Sequence, residues 1–120
     1  MIAGIGVDIV DLARFEEQIA RTPKLLERLF AESERALPVR SLAGRFAAKE
    51  ALVKALGRRD QGMRWADITV VNNEHGDPDF ELRGDAPAVV AAQGIRRLHL
   101  SITHDAGVAC AFVVAEGADA

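Results

Sequence analysis

The chain has 120 residues, 49% of them apolar, and a formal net charge of −3. That length and apolar content suit one domain spanning residues 1–120 and exclude a disordered chain. No apolar run is long enough to cross a bilayer, MIAGIGVDIV lacks the marks of a secretory leader, and a single cysteine excludes an internal disulfide, so a cytoplasmic protein is expected.

Residues 2–10 predict a strand. Ala3, Ile5, Val7 and Ile9 alternate to one side and are expected to face the core; Gly4, Gly6 and Asp8 point to the other. Glycine inside a strand marks close approach by another backbone or by a ligand. Close helix packing and a ligand laid beside Asp8 both stay open. The G-x-G here lacks the third glycine and the βαβ context of a dinucleotide site, and no GK[ST] phosphate loop occurs. Asp11 predicts the cap of a helix bearing Leu12, Phe15 and Ile19 on one face. A second helical piece is expected over about residues 24–31. Pro38 interrupts ESERALPVR, which reads as a short helix or turn.

LAGRFAAKEALVKAL, residues 42–56, predicts the longest helix, with Ser41 as N-cap and Gly57 as the stop. Leu42, Phe46, Val53 and Leu56 form its apolar stripe. Glu50 falls about 40–60° from Phe46 and Val53, at the margin of that stripe. Ala43, Ala47 and Ala51 leave room around it, and Lys54 follows four residues on. A surface ion pair is one reading of Glu50 and Lys54. The other is a carboxylate for a metal beside a lysine for a phosphate. Asp8 and Glu50, one from each element, match the way Mg²⁺ is held when substrate phosphates and water complete its shell.

The polar run RRDQG is expected to be a loop. DITVV (67–71) and DFELR (79–83) predict a hairpin turning at HGDP, and residues 85–95 a helix with Pro87 in its first turn. RLHLSITH and GVACAFVVAE predict two strands around Asp105, Ala106 and Gly107. Cys110, inside the apolar run VACAFVV, is expected to be buried and inert. His104 and Asp105 end a strand at a turn, where side chains can reach an open site. This order describes an α+β domain, a mostly antiparallel sheet with a long central helix packed on it.

Charge is unevenly distributed. Residues 14–64 hold 12 of the 15 Lys and Arg, all but Arg83, Arg96 and Arg97. Such a basic middle suits phosphates or an acidic protein, or simply solvated helix faces. No RNA-binding aromatic pattern and no Cys/His zinc spacing accompany it, so nucleic acid is not an expected partner.

Taken together, GIGVDIV…RF, LAGRFAAKEALVKALG and SITHD resemble the holo-acyl-carrier-protein synthases, the small bacterial 4′-phosphopantetheinyl transferases. The likeness runs nearly end to end and in order. It implies transfer of 4′-phosphopantetheine from coenzyme A to a serine of an apo acyl carrier protein, with Mg²⁺ as cofactor. It also implies a homotrimer with active sites at subunit interfaces. On this chain the resemblance assigns the metal to Asp8 and Glu50 and a phosphate to Lys54. Arg45, Lys49, His104 and Asp105 are placed around coenzyme A, with Lys54 and His104 stabilising the departing charge. Arg14, Arg21 and Arg28 are expected to meet the carrier. Two other readings stay open: a Mg²⁺-dependent hydrolase of coenzyme A or nucleotide pyrophosphates, and a non-enzymatic module that binds an acidic partner.

Overall fold

In the computed structural model, which describes residues 1–57 and 62–119, the elements run in mixed order. They are β1 (Ile2–Asp11), α1 (Leu12–Arg21), α2 (Leu25–Leu29), α3 (Val39–Ala55), a 3-10 turn at Trp65–Asp67, β2 (Ile68–Asn72), β3 (Pro78–Leu82), α4 (Ala86–Ala92), β4 (Ile95–Asp105) and β5 (Val108–Gly117). The expected RRDQG loop falls mostly on residues 58–61, outside the described residues. No helix among the described residues is long and apolar enough to cross a membrane.

Local chemistry explains the boundaries. Asp11 ends β1 and caps α1, its carboxylate accepting the Arg14 N–H at 2.9 Å. The longest helix starts earlier than expected. Pro38 occupies the N-cap position without a side-chain cap, and Ser41 lies inside the first turn. Proline's fixed φ suits a helix start, and its missing N–H would have had no intrahelical partner there. At the other end Gly57 adopts φ 64 and donates to the Lys54 carbonyl at 2.9 Å, a left-handed stop that favours glycine. Helix α4 is shorter than expected: Gly94 (φ 76) turns the chain straight into β4. Ala106 and Gly107, both at positive φ, make the two-residue turn that joins β4 to β5.

Three strands form an antiparallel sheet in the order β1–β5–β4, and β2–β3 form a separate hairpin. Helix α3 lies across the larger sheet. The sheet's helix-facing side is mostly small residues, Gly4 and Gly6 from β1 and the fully buried Ala109, Ala111 and Ala115 from β5, with Val113 opposite Gly6. A Cβ on Gly4 would sit 2.0 Å from the Ala55 carbonyl oxygen, and one on Gly6 would sit 1.8 Å from that of Ala51. The glycines therefore admit the backbone of α3, which settles the choice between helix packing and a ligand at those two positions.

This arrangement reverses the expected orientation of β1. The core lies on the glycine side, with Val10, while Ile5, Val7 and Ile9 are 55%, 44% and 63% exposed. Alternation tells which residues share a face but not which face the helix covers, and only a face without Cβ atoms accepts a helix backbone this close. Phe112 joins the same outer face, as does Cys110, paired opposite Ile9 and half-exposed rather than buried. On its far side α3 is covered by α1 and the 3-10 turn through a stacked row, Phe15 to Phe46 (5.5 Å between ring centroids) and Phe46 to Trp65 (5.8 Å).

Candidate active site

The packing of β1 on α3 places the two carboxylates. Gly4 meets Ala55 and Gly6 meets Ala51, so two residues along the strand correspond to four along the antiparallel helix. Those steps match, at roughly 6.6 Å and 6 Å. Continuing the series brings Asp8 beside the turn of α3 that includes Ala47, whose neighbours on the same helix face are Glu50 and Lys54. The tightness of the glycine contact is what delivers Asp8 to Glu50.

Asp8, Glu50 and Lys54 line an open cleft of about 450 Å³ together with Asp11, Arg14, Phe15 and Phe46. Lys54 Nζ donates to the Val7 carbonyl at 2.9 Å and to Asp8 Oδ1 at 3.1 Å. An ammonium carries three donors, so this one has capacity left for an anion in the cleft. Asp8, with one oxygen engaged by Lys54, keeps lone pairs for a cation. Among the described residues no group of three or more His, Cys, Asp or Glu could hold a metal by itself. Two carboxylates fit a Mg²⁺ site whose remaining ligands are substrate oxygens and water.

Beside this cleft, sharing Phe15, Gln18, Phe46 and Glu50 with it, lies a more apolar hollow of about 510 Å³ under α1 and α2. Arg14 and Arg21 stand exposed on α1, the latter paired with Glu17 at 2.6 Å, and Arg28 stands exposed on α2. Arg14 lines the first cleft and Arg21 the second hollow, while Arg28 lines neither.

Arg45 and His104 are brought together, but elsewhere. With Ser41, Gly44, Asn72 and Ile102 they line a separate hollow of about 200 Å³. Five residues separate Arg45 from Glu50, which rotates them about 140° apart around α3. A single chain therefore does not join Arg45 and His104 to Asp8, Glu50 and Lys54. Asp105 is exposed beside His104, its carboxylate accepting the Ala106 N–H at 2.8 Å.

Lys49 departs most from expectation. It lines neither hollow and is completely buried, donating to the carbonyls of Leu29 (2.6 Å) and Trp65 (3.3 Å) and to Glu34 Oε1 (2.7 Å). Desolvation draws its pKa below the usual lysine value, against the opposing pull of Glu34. Glu34, which sequence reading passed over, is equally buried. Its Oε1 also accepts the Ala31 N–H and its Oε2 the Val70 N–H, with Arg45 Nε at 3.7 Å. The signal that could have found it is a lysine among alanines of a helix, because an enclosed ammonium requires an enclosed carboxylate.

Comparison with known proteins agrees with this architecture. Residues 4–113 match the family model described as the 4′-phosphopantetheinyl transferase superfamily. The chain is 61% identical to a holo-[acyl-carrier-protein] synthase of Clavibacter michiganensis subsp. michiganensis, covering 98% of each chain. Among solved structures, the holo-[acyl-carrier-protein] synthase of Neisseria meningitidis superposes with a TM-score of 0.89 at 35% identity, over 97% of this chain and 99% of that one. The Helicobacter pylori enzyme, solved in complex with coenzyme A, superposes with a TM-score of 0.82 at 37% identity, over 93% and 99%. With this extent of likeness and the same α+β fold, the chain belongs to the 4′-phosphopantetheinyl transferase superfamily, among its holo-[acyl-carrier-protein] synthases.

Proposed function

We propose that this chain transfers 4′-phosphopantetheine from coenzyme A to a serine hydroxyl of an apo acyl carrier protein. The serine oxygen bonds to the phosphorus nearer the pantetheine, the bridging P–O bond breaks with its electron pair leaving on adenosine 3′,5′-bisphosphate, and the serine proton passes to water. The observation that carries this reading is the convergence of Asp8, Glu50 and Lys54 in one open cleft. Displacement at a pyrophosphate needs charge neutralisation and alignment more than covalent catalysis. Asp8 and Glu50 would hold Mg²⁺, which supplies that neutralisation when bound. Lys54 offers its remaining donor to a phosphate oxygen, Arg45 offers further donors to coenzyme A, and His104 offers it a ring nitrogen. The exposed Arg14, Arg21 and Arg28 complement an acidic carrier and would speed its encounter. Cytoplasmic residence belongs to the same proposal.

The reaction is tested by intact-protein mass spectrometry of an apo carrier with coenzyme A and Mg²⁺. A carrier heavier by one phosphopantetheine, and unmodified when EDTA is present, is the expected result. Breakdown of coenzyme A with the carrier unchanged would point instead to a pyrophosphate hydrolase.

The separation of the two groups around α3 supports a site completed between chains. One chain would contribute Asp8, Glu50 and Lys54, its neighbour Arg45 and His104, in a homotrimer. The outer face of Ile5, Val7, Ile9 and Phe112 is the surface suited to that assembly, since exposed apolar patches of this kind mark interfaces. Mixing Glu50→Gln with His104→Ala chains, after mild unfolding and reassembly, is expected to give more activity at limiting coenzyme A than either variant shows alone. Mixtures no more active than the separate variants would place the whole site in one chain.

A further inference from the structure

The imidazole of His104 rests against the first turns of α3. Its Nε2 lies 3.0 Å from the backbone carbonyl of Arg40. A carbonyl oxygen only accepts, so Nε2 carries the proton in that contact and donates it. The contact requires the ring to lie where a side chain at position 44 would be. A Cβ on Gly44 would stand 2.9 Å from His104 Nε2, 3.2 Å from its Cε1 and 3.1 Å from Ile102 Cγ2. Gly44 is buried in the interior of a 17-residue helix, where glycine is a poor helix former. Its φ is not positive, so no backbone conformation calls for glycine there. What the position does call for is the absence of a side chain under the ring.

We propose that Gly44 is a positioning residue for His104. By leaving its side of α3 bare, it lets the ring dock on the Arg40 carbonyl, which fixes the tautomer at Nε2–H. Nδ1 is then the ring nitrogen left for the ligand, an acceptor for an N–H or O–H of coenzyme A, and His104 lines both the hollow shared with Arg45 and the smaller one lined by Arg40, Asp105 and Ala106. A histidine whose second nitrogen is engaged by a backbone carbonyl has its orientation and tautomer set by that contact. This proposal rests on the reading that His104 meets coenzyme A.

The test is Gly44→Ala alone and combined with His104→Ala, measured on the full-length protein. Alanine is the better helix former, so the thermal midpoint is expected to hold or rise. The KM for coenzyme A is expected to rise about tenfold with kcat little changed, the order expected for one displaced hydrogen-bonding group. Long-range ¹H–¹⁵N NMR of the imidazole should show the Nε2–H tautomer in the wild type and its loss or mixing in Gly44→Ala. In the His104→Ala background, Gly44→Ala should add nothing further. An undiminished effect of Gly44→Ala in that background, or an unchanged tautomer pattern, overturns the positioning role. His104→Ala with an unaltered KM for coenzyme A overturns the reading of His104 itself, a different failure from the NMR result.

Discussion

Glu50→Gln is expected to lower the rate of carrier modification at least about a thousandfold, close to 4 kcal/mol of barrier, with the fold retained. Glutamine matches glutamate in size and suits a helix, so the change removes charge and little else. Among the described residues the cleft's charged lining is Asp8, Asp11 and Glu50 against Arg14 and Lys54, three negative groups and two positive. Its net charge is −1, and Glu50→Gln brings it to zero. Asp8 already shares an oxygen with Lys54 at 3.1 Å, so after the substitution a dication meets no net attraction and has lost one of the two carboxylates proposed to hold it. Initial rates from intact-carrier mass spectra, across a Mg²⁺ titration, check this. The variant should need far more Mg²⁺ for half-maximal rate, and its thermal midpoint should stay within a few degrees of wild type. A rate within tenfold of wild type at unchanged Mg²⁺ demand would remove Glu50 from the metal site.

The largest expected effect on stability is that of Glu34→Ala, at about 3–5 kcal/mol, a large share of what a domain of this size possesses. Four groups lose their partner at once: the Lys49 ammonium, the N–H groups of Ala31 and Val70, and the Arg45 guanidinium at longer range. Lys49 would be left enclosed beside Phe30, over whose ring its Nζ sits at 4.7 Å, with only the carbonyls of Leu29 and Trp65 to meet it. Urea unfolding measures the loss. The double variant Glu34→Leu with Lys49→Met should recover much of it, because an enclosed ion pair costs nearly what it returns, whereas a broken one leaves a bare charge. A loss below about 1 kcal/mol in Glu34→Ala would show that the pair does not hold the region together. The same variant reaches the proposed function, since Glu34 ties the segment after α2 to the helix that carries Arg45 and Glu50.

Much of the candidate site is legible in local patterns. Asp8 follows two glycines at strand spacing, and Glu50 sits among alanines with Lys54 one turn on. Each pattern is short-range: side-chain alternation in a strand, angular spacing in a helix, and small residues where two backbones must approach. The order of elements and the tight β4–β5 turn were readable for the same reason. Lys49 was misplaced because a lysine in a helix looks the same in sequence whether it faces water or a buried carboxylate 15 residues away. The linear motif does not record the turn of about 140° around α3 that puts Arg45, and His104 with it, in a different hollow from Glu50 within one chain.

The α+β class and the strand and helix that carry the two carboxylates follow from local patterns in the chain. Packing in three dimensions puts α3 on the glycine side of β1 and leaves Ile5, Val7, Ile9 and Phe112 outside. It also decided that Lys49 and Glu34 are mutual counter-ions in the core, and that His104 docks on the Arg40 carbonyl across Gly44. The physical reason is that periodicity is a property of neighbouring residues, while burial and pairing depend on which distant surface arrives. That is set by the closest approach two backbones can make.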